Sequence, residues 1–253
     1  MPCKIFHFKS LTSTQDKAKE FSKKGLSNVV IIADTQTKGR GRFKRKWHSG
    51  RGGLWMSILL KPKKIENLQY LTFAAAVAVV KSIKKIANLN TSIKWPNDVH
   101  YKGKKLCGIL TEGIFGKDNY VAVGVGLNVN QNKFPNEIKN IASSLKIIKK
   151  QNFNINKIAA NIIDEFYTLY NYYNNHKPKK ILRIWKKYCD TINKNATIIT
   201  TTKKLKGKVI GIDKECNLLL KVKNNKVIKI VAGLKSVFEF MCSPFNSNNN
   251  MPR

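Results

Sequence analysis

Acidic residues are scarce in this chain: 14 Asp and Glu stand against 48 Lys and Arg, a formal net charge of +34. Cysteine is sparse as well. The five (Cys3, Cys107, Cys189, Cys216, Cys242) are scattered, odd in number and free of any C-x-x-C pair, which argues against a zinc site or a disulfide framework. The four histidines, His7, His48, His100 and His176, show no metal-ligand spacing. The longest apolar run, residues 71–80, is closed by Lys81; it is too short to cross a bilayer and reads as part of a buried helix. The N-terminus, MPCKIFHFKS, carries no apolar signal region. A cytoplasmic protein without a membrane partner is expected.

An excess of cations usually points to a polyanion partner. Here the lysines are spread over the whole chain among many Asn and Ile, residues that share A-rich codons with Lys. The bias therefore reads as compositional, although it would still draw in acidic partners by long-range steering. With 253 residues and 42% apolar content, the chain has room for one sizeable α/β core and a small satellite domain.

A short strand over residues 4–8 opens the chain. A helix follows with Ser13 or Thr14 at its cap, ending at Gly25. Residues 29–33 read as a buried strand. Residues 36–53 are basic, glycine-rich and aperiodic, and read as a mobile loop. A strand (54–60), an apolar helix (68–87) and two strands (105–115 and 120–130) come next, the last two joined by a Gly-Lys-Asp-Asn turn. Pro96 disfavours helix at Trp95. The strand at 120–130 places Val121, Val123, Val125, Leu127 and Val129 on one face, and Ala122, Gly124, Gly126 and Asn128 on the other. That stripped face suits close approach of a ligand, and equally suits tight packing of a helix. Helices over 155–173 and 180–189 complete a first domain, residues 1–194. Short strands with turn signals fill residues 195–241, and residues 242–253 read as a disordered tail.

Two stretches concentrate chemistry. The first is GRGRFKRKWHS, residues 39–49. Glycines let a loop wrap a ligand, guanidinium groups match phosphate oxygens, and an embedded aromatic can stack on a base. Alone, the stretch also fits an RNA-binding or a solvated loop. The second is KWPND, residues 94–98, followed by KLCG at 105–108. A lysine there can neutralise a carboxylate or a transferring phosphate. An aspartate can orient or deprotonate an amine, or hold Mg²⁺. Ordinary surface charges on a strand turn would look the same.

In combination these stretches closely resemble the biotin–protein ligase family. Its glycine–arginine loop matches GRGRFKRKW, its signature turn KWPNDV, its lysine strand KKLCGILTE and its glycine strand GVGLNVN, in the family's order. The likeness runs on through Gly211-Ile212-Asp213-Lys214 and Leu218-Leu219-Leu220, so it spans roughly residues 6–240. It implies an α+β fold: a class II aminoacyl-tRNA-synthetase-like catalytic domain with a mixed sheet, and a small SH3-like β-barrel at the C-terminus. It implies an enzyme that makes biotinyl-5′-AMP from biotin and ATP and passes biotin to a lysine of a carboxyl carrier domain. Ser13, Thr14, Gln15, Gln36, Arg40, Gly41, Arg42, Lys105 and Gly108 would hold biotin. Arg40, Arg42, Arg45, Trp47, Asn97 and Asn128 would hold ATP. Lys105, Arg42 and Asp98 would serve catalysis, with Asp98 placing Mg²⁺ or the acceptor amine. No nucleophile is needed, so Cys107 is expected to pack rather than react.

The Ser-Thr-Gln begins at Ser13, so the form expected lacks the family's DNA-binding arm and binds no specific DNA. A homodimer stays open. Three other readings compete: a lipoate–protein ligase-like acyltransferase on the same fold, a basic nucleic-acid-binding protein, and a degenerate ligase fold kept as a scaffold.

Overall fold

A computed structural model describes residues 3–65, 67–199, 204–232 and 237–240. The expected tail at 242–253, with Cys242, lies outside the described residues. The chain divides into two compact units, Met1–Asp190 with Lys214–Cys216, and Thr191–Asp213 with Asn217–Arg253.

The first unit is built on seven strands: β1 (Lys4–Leu11), β2 (Val29–Gln36), β3 (Gly53–Leu60), β4 (Ser92–Lys94), β5 (Asp98–Tyr101), β6 (Lys104–Ile114) and β7 (Tyr120–Asn128). Their spatial order is β1-β2-β3-β7-β6-β5-β4, parallel only between β1 and β2. Every residue of β3 is buried, as expected of a central strand covered on both faces.

Among the described residues five helices accompany the sheet: α1 (Thr14–Lys23), α2 (Gln69–Ala87), α3 (Leu145–Lys149), α4 (Ile155–Asn174) and α5 (Pro178–Lys186). Ser13 caps α1 by accepting from the Gln15 backbone N–H, and Asn154 caps α4 by accepting from Lys157 N–H. From Tyr70 to Val80 no residue of α2 is exposed, because the helix is enclosed by the sheet, α4 and α5. The helical period read from the sequence over α4 is Ile155, Ile158, Ala159, Ile162, Ile163, Phe166 and Tyr170; all are buried except Ile155, at the first turn, which is half-buried. The last helix starts two residues earlier than expected. Pro178 supplies a preset φ at its first turn, where the missing N–H costs nothing. It also ends earlier, at Lys186, because Tyr188 turns away to accept from Ile93 N–H at 2.8 Å.

The second unit is a five-stranded antiparallel sheet: β8 (Asn195–Ile199), β9 (Lys204–Ile212), β10 (Leu218–Lys221), β11 (Val227–Ile230) and β12 (Val237–Phe240), in the order β11-β10-β9-β8-β12. Ala196, Ile198, Val209, Leu218, Leu220 and Ile230 form its buried face.

In the helical layer the Trp185 ring of α5 stacks on Phe73 of α2, centroids 4.1 Å apart and planes 12° from parallel. Both rings are fully buried. Trp185→Ala should lower unfolding free energy by about 3–5 kcal/mol, measured as a shift in the urea midpoint.

Candidate functional site

The register of the sheet lines up one row across five strands. Asp98 of β5 pairs with Gly108 of β6, Gly108 with Gly126 of β7, Gly126 with Trp55 of β3, and Trp55 with Ala33 of β2. Paired residues share a face of the sheet. The row above it, Leu110, Gly124 and Ser57, lies on the same face two residues along each strand. At its centre the sheet therefore has a glycine floor.

Two side chains occupy that floor. The Trp47 indole lies on Gly108 and Gly126: a Cβ added to Gly126 would sit 2.5 Å from its Nε1, and one on Gly108 3.1 Å from its Cζ3. Gln15, from the first turn of α1, lies on Gly124, where a Cβ would be 3.2 Å from its Cδ. Sequence periodicity leaves open whether the glycines serve a helix or a site. They accommodate both, a helix residue at 124 and a loop residue at 126.

The basic loop is more ordered than its composition suggests. Gln36 bridges to Ser49 and Arg40 to Lys46, with a single 3-10 turn at Arg42–Lys44 between them. The Gly39 backbone passes so close to Ser49 Oγ and the Trp47 carbonyl that a Cβ would lie 2.4 and 2.7 Å from them, so glycine is needed there. Phe43 and Lys44 both have positive φ, 57° and 58°, an unusual conformation for residues with a Cβ. Gly41 donates to the Arg45 carbonyl at 2.8 Å.

Around this floor the expected residues gather into two groups. In the first, Gln36 Oε1 accepts from Thr14 N–H (2.8 Å) and Thr14 Oγ1 (3.1 Å), while Gln36 Nε2 donates to Ser49 Oγ (2.8 Å). Ser57 donates to Thr14 Oγ1 at 2.7 Å. Arg40 Nη1 donates to Asp16 (2.6 Å) and approaches Ser13 Oγ (3.4 Å), and its Nη2 reaches Glu112 (3.2 Å). Burial works against the Arg40 charge, but Asp16 and Glu112 outweigh it and raise the guanidinium pKa.

In the second group, Arg42 Nη1 donates to Asn97 Oδ1 (3.2 Å), and Asn97 Nδ2 to the Ile109 carbonyl (2.9 Å). Burial lowers the Arg42 pKa, with Asp98 opposing and Arg45 adding to the effect. Lys105 Nζ lies 2.7 Å from Asp98 Oδ1 and 5.1 Å from the centroid of the Trp47 ring, a cation–π contact. His100, opposite Lys105 in the strand register, has Nε2 3.9 Å from Asp98. Burial pushes the Asp98 carboxyl up, yet Lys105 and His100 outweigh it and hold it at about 2. Burial pushes the Cys107 thiol well up, which suits a packing residue and not a nucleophile.

Asn128 sits one row further on, opposite Gly53. Its amide donates to the Ser143 carbonyl at 3.0 Å and accepts from Gln131 at 3.4 Å, so it is spent on local structure. Asp98 is in an ion pair, and no three potential ligand side chains gather among the described residues. These residues do not fit a protein-held metal. Asp16, Ser49, Ser57, His100, Glu112 and Gln131 enter the site without having been singled out in the sequence. Glu112 closes the KKLCGILTE stretch, so its position was in view; its partners were not.

A glycine floor walled by arginine and lysine, with buried hydroxyls and carboxamides at one end, offers cations and hydrogen-bonding groups that several classes of protein could use. Comparison with known proteins is specific about which. Residues 5–130 match the Biotin/lipoate A/B protein ligase family, and residues 191–233 the Biotin protein ligase C terminal domain. The chain is 40% identical over 227 residues to the bifunctional ligase/repressor BirA of Bacillus subtilis, covering 87% of this chain and 70% of that protein. It is 35% identical over 146 residues to the biotin–[acetyl-CoA-carboxylase] ligase of Mycobacterium tuberculosis, covering 55% of this chain and 53% of that protein. The structure of the biotin protein ligase from Aquifex aeolicus in complex with biotin and ATP superposes with a TM-score of 0.84 at 29% identity, covering 94% of this chain and 99% of that one. The chain belongs to the biotin protein ligase family.

The Asp98–Lys105 pair gives a pH prediction. A carboxyl depressed to about 2 stabilises the fold above its unfolded value, near 3.8, and that contribution is lost as pH falls through about 2. Lys105→Met removes the chief lowering influence. The drop in urea midpoint between about pH 5 and about pH 2.5 should be smaller in Lys105→Met than in wild type, and equal drops would refute the assignment.

Proposed function

We propose that this chain is an ATP-dependent biotin–protein ligase that joins biotin to AMP and then transfers it to a lysine of a carboxyl carrier domain. The observation that carries the reading is the Trp47–Lys105 pair lying over Gly108 and Gly126, flanked by Arg42. A carboxylate is a poor acyl electrophile; its attack on the α-phosphate of ATP displaces pyrophosphate and makes a mixed anhydride, from which the neutral amine of the carrier lysine then displaces AMP. Both reactants of the first step are anionic, so cations must offset their repulsion and the charge that develops.

Ser13, Thr14, Gln15 and Gln36 form the polar end of the site and receive the ureido ring. Arg40, Gly41, Arg42 and Gly108 line the path of the acid tail. Lys105 and Arg42 meet the reacting carboxylate and phosphate, with Arg45 in support. Trp47, whose buried Nε1 has no partner among the described residues, orders the nucleotide side. Asn97 and Asn128 read adenine, Asn128 by exchanging its present partners for the base. Closure of the loop over the adenylate excludes water. A carboxyl held at about 2 is a weak base near neutral pH, so Asp98 orients the incoming amine and does not take its proton. Mg²⁺ would arrive with the nucleotide, and no step here depends on it.

The catalytic site lies in the first unit. No described helix is long and apolar enough to cross a membrane. We place the enzyme in the cytoplasm and its acceptor among acidic carrier domains, consistent with steering by the net charge of +34.

Incubation with ATP, a carrier domain and labelled biotin or lipoate tests the reading, and transfer of lipoate alone would overturn it. Lys105→Ala should slow adenylate formation by about 10²–10³-fold, as loss of one transition-state donor does. Arg42→Ala should release adenylate faster, by a similar factor, in single-turnover trapping. Wild-type rates in both variants would remove the site assignment.

A further inference from the structure

Gln15 is held at three points by its amide nitrogen. Nε2 donates to Glu112 Oε2 at 2.9 Å and to the Leu110 carbonyl at 3.2 Å, with the Ala122 carbonyl at 3.5 Å. All three partners are acceptors, and a carboxylate offers no donor at all. The carboxamide is therefore locked with its NH₂ group against β6 and β7. Its other atom, Oε1, is buried and has no partner among the described residues. A Cβ at Gly124 would come within 3.3 Å of that oxygen, so the glycine keeps its surroundings open. A buried acceptor left without a donor is unfavourable, and a ligand N–H would offset that cost.

Of the three partners, Glu112 is the shortest contact and the one side chain. The two carbonyls belong to residues of the β6–β7 ladder. The same Glu112 oxygen also accepts from Arg40 Nη2 at 3.2 Å. Arg40 is independently held by Asp16 at 2.6 Å, so it does not depend on Glu112 alone.

We propose that Glu112 is a specificity-determining positioning residue: by accepting from Gln15 Nε2, it fixes Gln15 Oε1 as an acceptor that demands an N–H from the ureido ring of the bound acid. The proposal rests on the biotin-ligase reading and adds to it the residue that enforces one polarity of the pocket. A glutamine at position 112 is nearly isosteric but can donate as well as accept. The two backbone carbonyls still favour the original orientation, but the shortest acceptor-only contact is gone, and the Gln15 amide gains a donor toward which Oε1 can turn.

The test compares biotin with an analogue methylated on its ureido nitrogens, by titration calorimetry on the full chain. In Glu112→Gln, biotin affinity should weaken about tenfold, or about 1.4 kcal/mol, while the weak affinity for the methylated analogue barely moves. Discrimination between the two shrinks by the same factor, and the Kd for ATP stays within about twofold. Gln15→Leu should lose the same discrimination, which keeps the test open if Glu112→Gln fails to fold. Asp16→Asn takes the other carboxylate from Arg40 and should weaken biotin and the methylated analogue by the same factor, separating an effect through Arg40 from one through Gln15. Wild-type discrimination in either Glu112→Gln or Gln15→Leu, or its loss in Asp16→Asn, overturns the proposal while the ligase reading stands. If the wild-type protein binds no biotin, both fall.

Discussion

Everything at the site depends on how closely side chains can lie on the sheet between Asp98 and Trp55. Gly108 and Gly126 are paired neighbours, and the Trp47 indole rests on them at a distance that a Cβ at 126 would forbid and one at 108 would crowd. The indole in turn receives the Lys105 ammonium over its face, and Lys105 holds Asp98. An alanine at 126 would have to lift the indole or shift the strand. The lysine, the aspartate and the arginine loop would then lose their common reference surface.

Electrostatics acts locally against the trend of the chain. Acidic residues number 14 in the whole sequence, yet Asp16, Asp98 and Glu112 all sit within the site, each paired with one of its cations. Isolated cations would repel one another across a small, partly buried space. The carboxylates hold Arg40 and Lys105 in place until an anionic substrate competes for them. The surplus of lysine elsewhere works at longer range, in steering rather than in chemistry.

Much of the fold is legible in the amino-acid sequence. The order of the longer β and α segments follows from periodicity and turn chemistry, and α4 buries all but the first of the residues that its helical period selects; the short β4, β5 and α3 carry too few residues to show a period and are not legible there. The ends of elements are less legible. The final helix of the first unit begins at Pro178 because proline is a good first-turn residue, and its far end is cut by a tertiary bond from Ile93 to Tyr188. The loop at 36–53 reads as aperiodic because its order comes from bridges between its two arms, and such pairings leave no period in a sequence.

The residue types of the site were set by the sequence by itself: a glycine-lined face, a guanidinium-rich loop with one tryptophan, an aspartate and a lysine at two strand ends. Side-chain alternation determines which residues share a face, since it is a property of one strand. What covers that face is decided between strands and helices distant in the chain, and only the tertiary structure brought Gln15 onto Gly124 and Trp47 onto Gly126. The same holds for partners. Asp98 with Lys105, and Glu112 with Gln15 and Arg40, are matters of register and packing, which no single stretch of sequence encodes.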